Sequence, residues 1–96
     1  MTGREMLTVF CYDVSSAKRR RRVAKILENS ASRVQYSVFE TRLSEAKAHA
    51  IAQRTAAELG DNDSLRVYVL GDAGERRSRT YGNATPIEPN GAFWLM

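Results

Sequence analysis

Asp13 stands five residues ahead of an unbroken cationic run, Lys18-Arg19-Arg20-Arg21-Arg22. A carboxylate beside that much positive charge has two chemistries open to it. It can ligate a divalent cation that works on a phosphodiester, or it can sit at the margin of a surface that grips a polyanion. A plainer role competes on equal terms, that of a turn carboxylate or the ion-pair partner of a nearby arginine. The segment by itself leaves all of these open.

The elements that must position these groups can be read on either side. Met6 to Tyr12 (Met-Leu-Thr-Val-Phe-Cys-Tyr) is rich in β-branched and aromatic residues and has the length of a strand. Leu7, Val9 and Cys11 point to one face and Met6, Thr8, Phe10 and Tyr12 to the other, so both faces need cover, and Asp13 falls on the first face where the chain leaves the sheet. Ser15 or Ser16 can cap a following helix, which the spacing predicts from about Ser16 to Ser30 with a Val23, Ile26, Leu27 stripe facing inward. Lys18, Arg21 and Lys25 then lie on the outer side, either as a solvated face or as phosphate ligands. Arg19 and Arg20 flank the buried face near the strand end, in reach of Asp13 or a phosphate.

Arg33 to Leu43 predicts two short antiparallel strands bent tightly at Tyr36-Ser37, a turn without glycine. A second helix is predicted from about Glu45 to Leu59, with Ser44 as N-cap, Gly60 just past its end and Ala48, Ile51, Ala52, Thr55 and Leu59 facing inward. His49 falls at the margin of that stripe, where a surface role outweighs catalysis or metal binding. After the polar turn Asp61-Asn62-Asp63, Ser64 to Leu70 reads as a clear strand. Strand, helix, strand, strand, helix, strand is the ferredoxin-like α+β order, in which two helices cover one face of an antiparallel sheet. The uncovered face calls for a partner, and a two-fold homodimer packed sheet to sheet is the simplest one.

Composition narrows the class further. The chain's 96 residues make one domain with an ordinary 43% hydrophobic content, small enough that self-association is a reasonable expectation. A net charge of +4, with six of the fifteen cations between Lys18 and Lys25 and three more at Arg76, Arg77 and Arg79, favours nucleic acid over an acidic metabolite as ligand. A single cysteine excludes an intrachain disulfide and a cysteine zinc cluster, and fits a reducing cytoplasm. No apolar stretch approaches the roughly 20 residues that span a bilayer, so no membrane partner is expected. From Gly71 onward Gly and Pro break up the chain, which ends on Ala92-Phe93-Trp94-Leu95-Met96. The expected division is a core at 1–71 and a tail at 72–96. Thr80 to Ile87 can supply one more strand, and the apolar ending is expected to dock on the other protomer or on a different protein.

These residues resemble the small CRISPR-associated core protein of spacer acquisition, the Cas-two family, partner of the CRISPR integrase. The matching segments are Tyr12-Asp13-Val14-Ser15, the run from Lys18 to Leu27, Arg33-Val34-Gln35-Tyr36-Ser37-Val38-Phe39-Glu40, and Asp63-Ser64-Leu65-Arg66-Val67-Tyr68. The resemblance implies a homodimer that sits between two integrase dimers and holds a duplex prespacer through basic residues. It also implies, for many members, divalent-metal-dependent cleavage of RNA or DNA, with the strand-end Asp of each protomer holding Mg²⁺ across the two-fold axis. Asp13 matches that position, and Tyr12, Arg19 or Arg20, Arg33, Ser37 and Phe39 match positions tied to activity or to the shape of the site. The tail resembles those that add a strand across the dimer and contact the integrase, which makes Pro86, Ile87, Phe93, Trp94 and Leu95 the partner-binding candidates.

For nucleic acid the candidates are Lys18, Arg19, Arg20, Arg21, Arg22, Lys25, Arg33, Arg76, Arg77 and Arg79, contacting phosphates without base specificity. A metal-bound water is the only evident nucleophile, because no His, Lys or second carboxylate is placed as a general base. Two rivals of other classes remain. One is a single-stranded RNA-binding module using Tyr36 and Phe39 as stacking surfaces, although the glycines of the usual RNA-recognition signature are missing. The other is a free-standing toxin-like metal-dependent endoribonuclease, which the fold permits.

Overall fold

The computed structural model describes residues 5–70 and 79–82. Five strands and two helices follow in the order β1 (Met6–Asp13), α1 (Ala17–Glu28), β2 (Ser32–Gln35), β3 (Val38–Leu43), α2 (Glu45–Ala56), β4 (Ser64–Leu70) and β5 (Arg79–Gly82). The strands form one antiparallel sheet ordered β2-β3-β1-β4-β5, so the first strand and the last core strand lie side by side at its centre. This is the α+β, ferredoxin-like arrangement expected from the element order.

Register decides which face of β1 is covered. Phe10 sits opposite Phe39 on β3 and Val67 on β4, and these side chains join Tyr12, Val23, Leu27, Ala48, Ile51 and Leu65 in one buried cluster beneath the helices. Leu7, Val9, Cys11 and Asp13 therefore alternate onto the far face. On that face Val9 lies between Glu40 and Tyr68, and Val9 and Tyr68 are both buried, while Leu7, Cys11, Val38 and Leu70 are half-buried. Of the two sets, the helices thus cover the one carrying Phe10 and Tyr12.

Each helix starts where its cap dictates. The Ser16 side chain accepts from the Arg19 N–H and that of Ser44 from the Lys47 N–H, both at 3.3 Å, satisfying one otherwise orphaned donor in each first turn. Helix α2 ends at Ala56, a turn earlier than the apolar spacing suggests, and Leu59 packs against the core from beyond its end. Gly60 is consequently not the helix cap. Its requirement is proximity, since a Cβ there would stand 2.8 Å from the Arg19 guanidinium carbon.

The β2–β3 hairpin turns at Tyr36–Ser37 as predicted, and among the described residues no non-glycine residue has positive φ. Two-residue hairpin loops usually need positive φ to match strand twist. Here the pairing is irregular instead between Arg33 and Gln35, which leaves Val34 bulged and half-exposed. At the other edge β5 pairs with β4 of the same chain, Leu65 opposite Tyr81 and Ser64 opposite Gly82. Gly82 has φ 76°, and a Cβ on it would overlap the Asp63 carbonyl oxygen. Arg76, Arg77, Pro86, Ile87, Phe93, Trp94 and Leu95 lie outside the described residues, and Arg79 opens β5. No helix among the described residues is long and apolar enough to cross a membrane.

Candidate metal and nucleic-acid site

The last residue of β1 is Asp13, in register with Ser64 and exposed. Among the described residues no group of three or more His, Cys, Asp or Glu side chains is arranged to hold a metal ion. Among the described residues Asp13 therefore stands as a lone candidate donor and not as part of a metal-ligand cluster. That donor set fits magnesium only as half of a site, because Mg²⁺ keeps several waters and is commonly held by one or two carboxylates together with substrate phosphate. A second Asp13 from another copy, or a phosphodiester, has to supply the rest.

Tyr12, Ser37 and Phe39 come together at the hairpin turn, with the Tyr12 and Phe39 rings on the helix-covered face of the sheet and Asp13 on the other. The Tyr12 N–H donates to the Ser37 carbonyl at 3.1 Å, its hydroxyl donates to the Tyr36 carbonyl at 3.5 Å, and its ring stacks on Phe39 with centroids 6.3 Å apart and planes inclined by 22°. These contacts clamp the hairpin turn to the end of β1. Burial raises the Tyr12 phenol above its usual pKa, against the pull of Arg33, so it stays protonated at neutral pH and serves as a donor rather than a base. Arg33 spreads over the same rings, its guanidinium carbon 5.0 Å from the Phe39 centroid and 6.0 Å from that of Tyr36.

The cationic run divides by function along one helix. Arg19 turns inward, and its Nε donates to Asp63 Oδ2 at 2.7 Å. Arg20 folds back, its Nη1 donating to the Val14 and Ser15 carbonyls at 2.9 and 3.0 Å, so both of its bonds hold the β1–α1 loop. Lys18, Arg21, Arg22 and Lys25 face outward and line, with Arg33, a groove of about 570 Å³. Within it Glu28 is the sole carboxylate, 3.6 Å from Arg33, while Arg22 makes a loose 3.7 Å contact with Glu58. Lys18, Arg21 and Lys25 have no carboxylate in ion-pair range among the described residues, which leaves them the cations best placed for phosphate.

Asp63 was legible only as a turn residue, yet it is the most heavily bonded side chain near the site. It is fully buried and accepts from Arg19, from the Gly60 N–H at 2.7 Å, from the Ser15 N–H at 3.0 Å and from the Ser15 hydroxyl at 3.3 Å. The Arg19 hydrogen bond, aided by the two backbone N–H groups and opposed by burial, holds its carboxyl well below the usual carboxylate range. One buried anion thus ties the loop after Asp13 to the turn before β4. The Gly60-x-x-Asp63 spacing marks the turn, in which the side chain accepts from the Gly60 N–H, and carries no sign of the burial or of the arginine. His49 is exposed and lies within hydrogen-bond distance of Gln53, a surface position.

Comparison with known proteins bears on the family and the fold. The family model described as CRISPR associated protein Cas2 matches residues 6–78. A Synechocystis protein named CRISPR-associated endoribonuclease Cas2 2 is 42% identical over 81 residues, covering 82% of this chain and 87% of that protein. A Thermus thermophilus protein named CRISPR-associated endoribonuclease Cas2 is 43% identical over 68 residues, covering 70% of this chain and 72% of that one. The crystal structure of Streptococcus pyogenes Cas2 superimposes with a TM-score of 0.62 at 36% identity, covering 80% of this chain and all of that one.

Proposed function

This chain belongs to the CRISPR associated protein Cas2 family, and on that premise we propose that it works as a homodimeric scaffold in CRISPR adaptation. It holds duplex prespacer DNA and bridges integrase dimers. The observation that carries this reading is the outward row Lys18, Arg21 and Lys25 on a helix in which two of the four arginines, Arg19 and Arg20, are spent on fixing the helix in place. A row of cations with no carboxylate in ion-pair range among the described residues suits a phosphate backbone and reads no bases. The half-buried apolar side chains of Leu7, Cys11, Val38 and Leu70 on the helix-free face suit a second copy of the chain. Contact with the integrase falls to the tail, through Pro86, Ile87, Phe93, Trp94 and Leu95.

A second activity, metal-dependent phosphodiester cleavage, is favoured by one observation, the exposed carboxylate of Asp13 at the strand tip. Two such carboxylates meeting on a dimer axis would hold Mg²⁺, which supplies a polarised phosphoryl group and a water of lowered pKa. Tyr12, Ser37 and Phe39 support the strand tip from the helix-covered side of the sheet, with the Tyr12 hydroxyl bonded to the Tyr36 carbonyl. Reconstitution with the integrase separates the two activities. Asp13→Ala is expected to abolish cleavage and to leave integration of a duplex prespacer at the wild-type level. Loss of both would make the cleavage chemistry primary and overturn the ranking. Degradation of RNA with no capture of integrase or duplex would instead mark a free-standing endoribonuclease.

A further inference from the structure

The backbone on both sides of Asp13 is bonded to groups from distant parts of the chain. Before it, the Tyr12 N–H donates to the Ser37 carbonyl at 3.1 Å. After it, Arg20 Nη1 donates to the Val14 and Ser15 carbonyls at 2.9 and 3.0 Å, while the Ser15 N–H and hydroxyl donate to Asp63 Oδ1 at 3.0 and 3.3 Å. Across the sheet the register partner of Asp13 is Ser64, which follows Asp63 directly in the chain. Asp63 therefore reaches the strand tip along two routes, through the loop that leaves it and through the strand beside it. Stability alone is a weak reason for such an arrangement, because a well-packed apolar pair in place of a buried ion pair is often neutral or stabilising. What an apolar pair cannot do is accept the Ser15 and Gly60 N–H groups and the Ser15 hydroxyl at fixed distances. Fixation is what an exposed ligand needs. A carboxylate on a loose tip loses backbone freedom when it takes a cation, and one whose backbone is already held does not.

We propose that Asp63 is a positioning residue for Asp13, holding the strand tip where its carboxylate takes a divalent cation. This rests on the metal reading of Asp13 given above and adds to it a buried residue that touches neither the cation nor the substrate. Arg19 belongs to the same device one bond further out. Its Nε, 2.7 Å from Asp63 Oδ2, orients the carboxylate, and its Nη2 donates to the Ser15 hydroxyl at 3.4 Å. Arg20 acts separately, on the carbonyls, so loss of Asp63 loosens the loop without releasing it. Removing Asp63 should therefore weaken metal binding about tenfold, the low end for a residue that supports a ligand, because it acts through the backbone and not on the carboxylate itself.

The test titrates the full chain with Mn²⁺, following the free ion by electron paramagnetic resonance, beside thermal unfolding of each variant. Asp13→Ala should remove the site that the wild type shows, and Asp63→Ala should weaken it about tenfold. Ser15→Gly drops the hydroxyl contact and frees the backbone at an exposed position. It should weaken Mn²⁺ binding about threefold, the equivalent of the backbone freedom that glycine restores, with a far smaller loss of melting temperature than Asp63→Ala. Leu27→Ala truncates the core at the far end of α1, with a loss of stability comparable to that of Asp63→Ala, and should bind Mn²⁺ as the wild type does. Wild-type affinity in Asp63→Ala, or an equal loss in Leu27→Ala, overturns the inference and leaves the metal reading of Asp13 intact. Should Asp63→Ala fail to fold, wild-type affinity in Ser15→Gly does the same. Equal Mn²⁺ binding by the wild type and Asp13→Ala overturns the metal reading, and the inference with it.

Discussion

Asp13 and Asp63 lie at opposite ends of one cross-strand neighbourhood and have opposite fates. Asp13 pairs in register with Ser64, the residue immediately after Asp63, yet the first carboxylate is exposed and the second is fully buried. Asp63 spends its oxygens on Arg19, Ser15 and Gly60, which welds the β1–α1 loop to the α2–β4 turn. The exposed one is left able to take a ligand from outside. Structure and chemistry are thus divided between two aspartates, the buried one holding the loop that follows the exposed one. The same division runs along α1, where Arg19 and Arg20 serve the fold and Lys18, Arg21 and Lys25 serve the surface.

The sharpest way to break that comparison is to remove each carboxylate in turn. Asp63→Ala leaves Arg19 and two backbone donors without their acceptor, and should cost about 3 kcal/mol, the low end for a broken buried pair because Arg19 is partly exposed. In a domain of this size that lowers the melting temperature on the order of 10 °C or more. Asp13→Ala removes an exposed side chain and should stay within about 0.5 kcal/mol of the wild type. Equal losses in thermal unfolding would erase the distinction. Acid sharpens it further, since the folded-state pKa of Asp63 lies below its unfolded value. Its stabilisation is therefore complete above the ordinary carboxylate range and drains away as pH falls through that range toward the folded value. Asp63→Asn should flatten the acid limb of the stability curve, read by thermal unfolding as a function of pH.

A smaller effect is expected at Gly60. The Cβ of Gly60→Ala would crowd the Arg19 guanidinium, which Asp63 holds in place, at a cost of about 1–2 kcal/mol. In Arg19→Ala that clash disappears, so the double variant should be more stable than the sum of the two single losses predicts. Strict additivity by denaturant unfolding would show that Gly60 is there for another reason.

The fold was legible because alternation and caps agree. Phe10 and Tyr12 against Leu7, Val9 and Cys11 announced a two-faced strand, and Ser15-Ser16 and Ser44 announced both helix starts, the structure choosing Ser16 for the first. The strand-tip carboxylate and the outward cations were legible for the same reason, since a position at the end of a strand or on the polar side of a helix follows from periodicity. The Asp63 latch was not. It joins residues 44 and 48 positions apart, and no local pattern distinguishes an aspartate in a polar turn from one that the fold will bury under an arginine. For the same reason local spacing left the partner of Arg19 open between Asp13 and a phosphate, while long-range packing gave it Asp63. The clamp from Tyr12 to the hairpin turn was likewise hidden, because it spans 24 residues.

The salt dependence of duplex binding tests most directly the claim that the outward cations of α1 hold a phosphate backbone. With Lys18, Arg21 and Lys25 of two protomers engaged, the logarithm of affinity should fall against the logarithm of salt concentration with a slope of about −5. Combining Arg21→Ala with Lys25→Ala removes four of those contacts and should bring the slope to about −2. A double variant that keeps the wild-type slope would place the phosphate path elsewhere on the molecule and contradict the account.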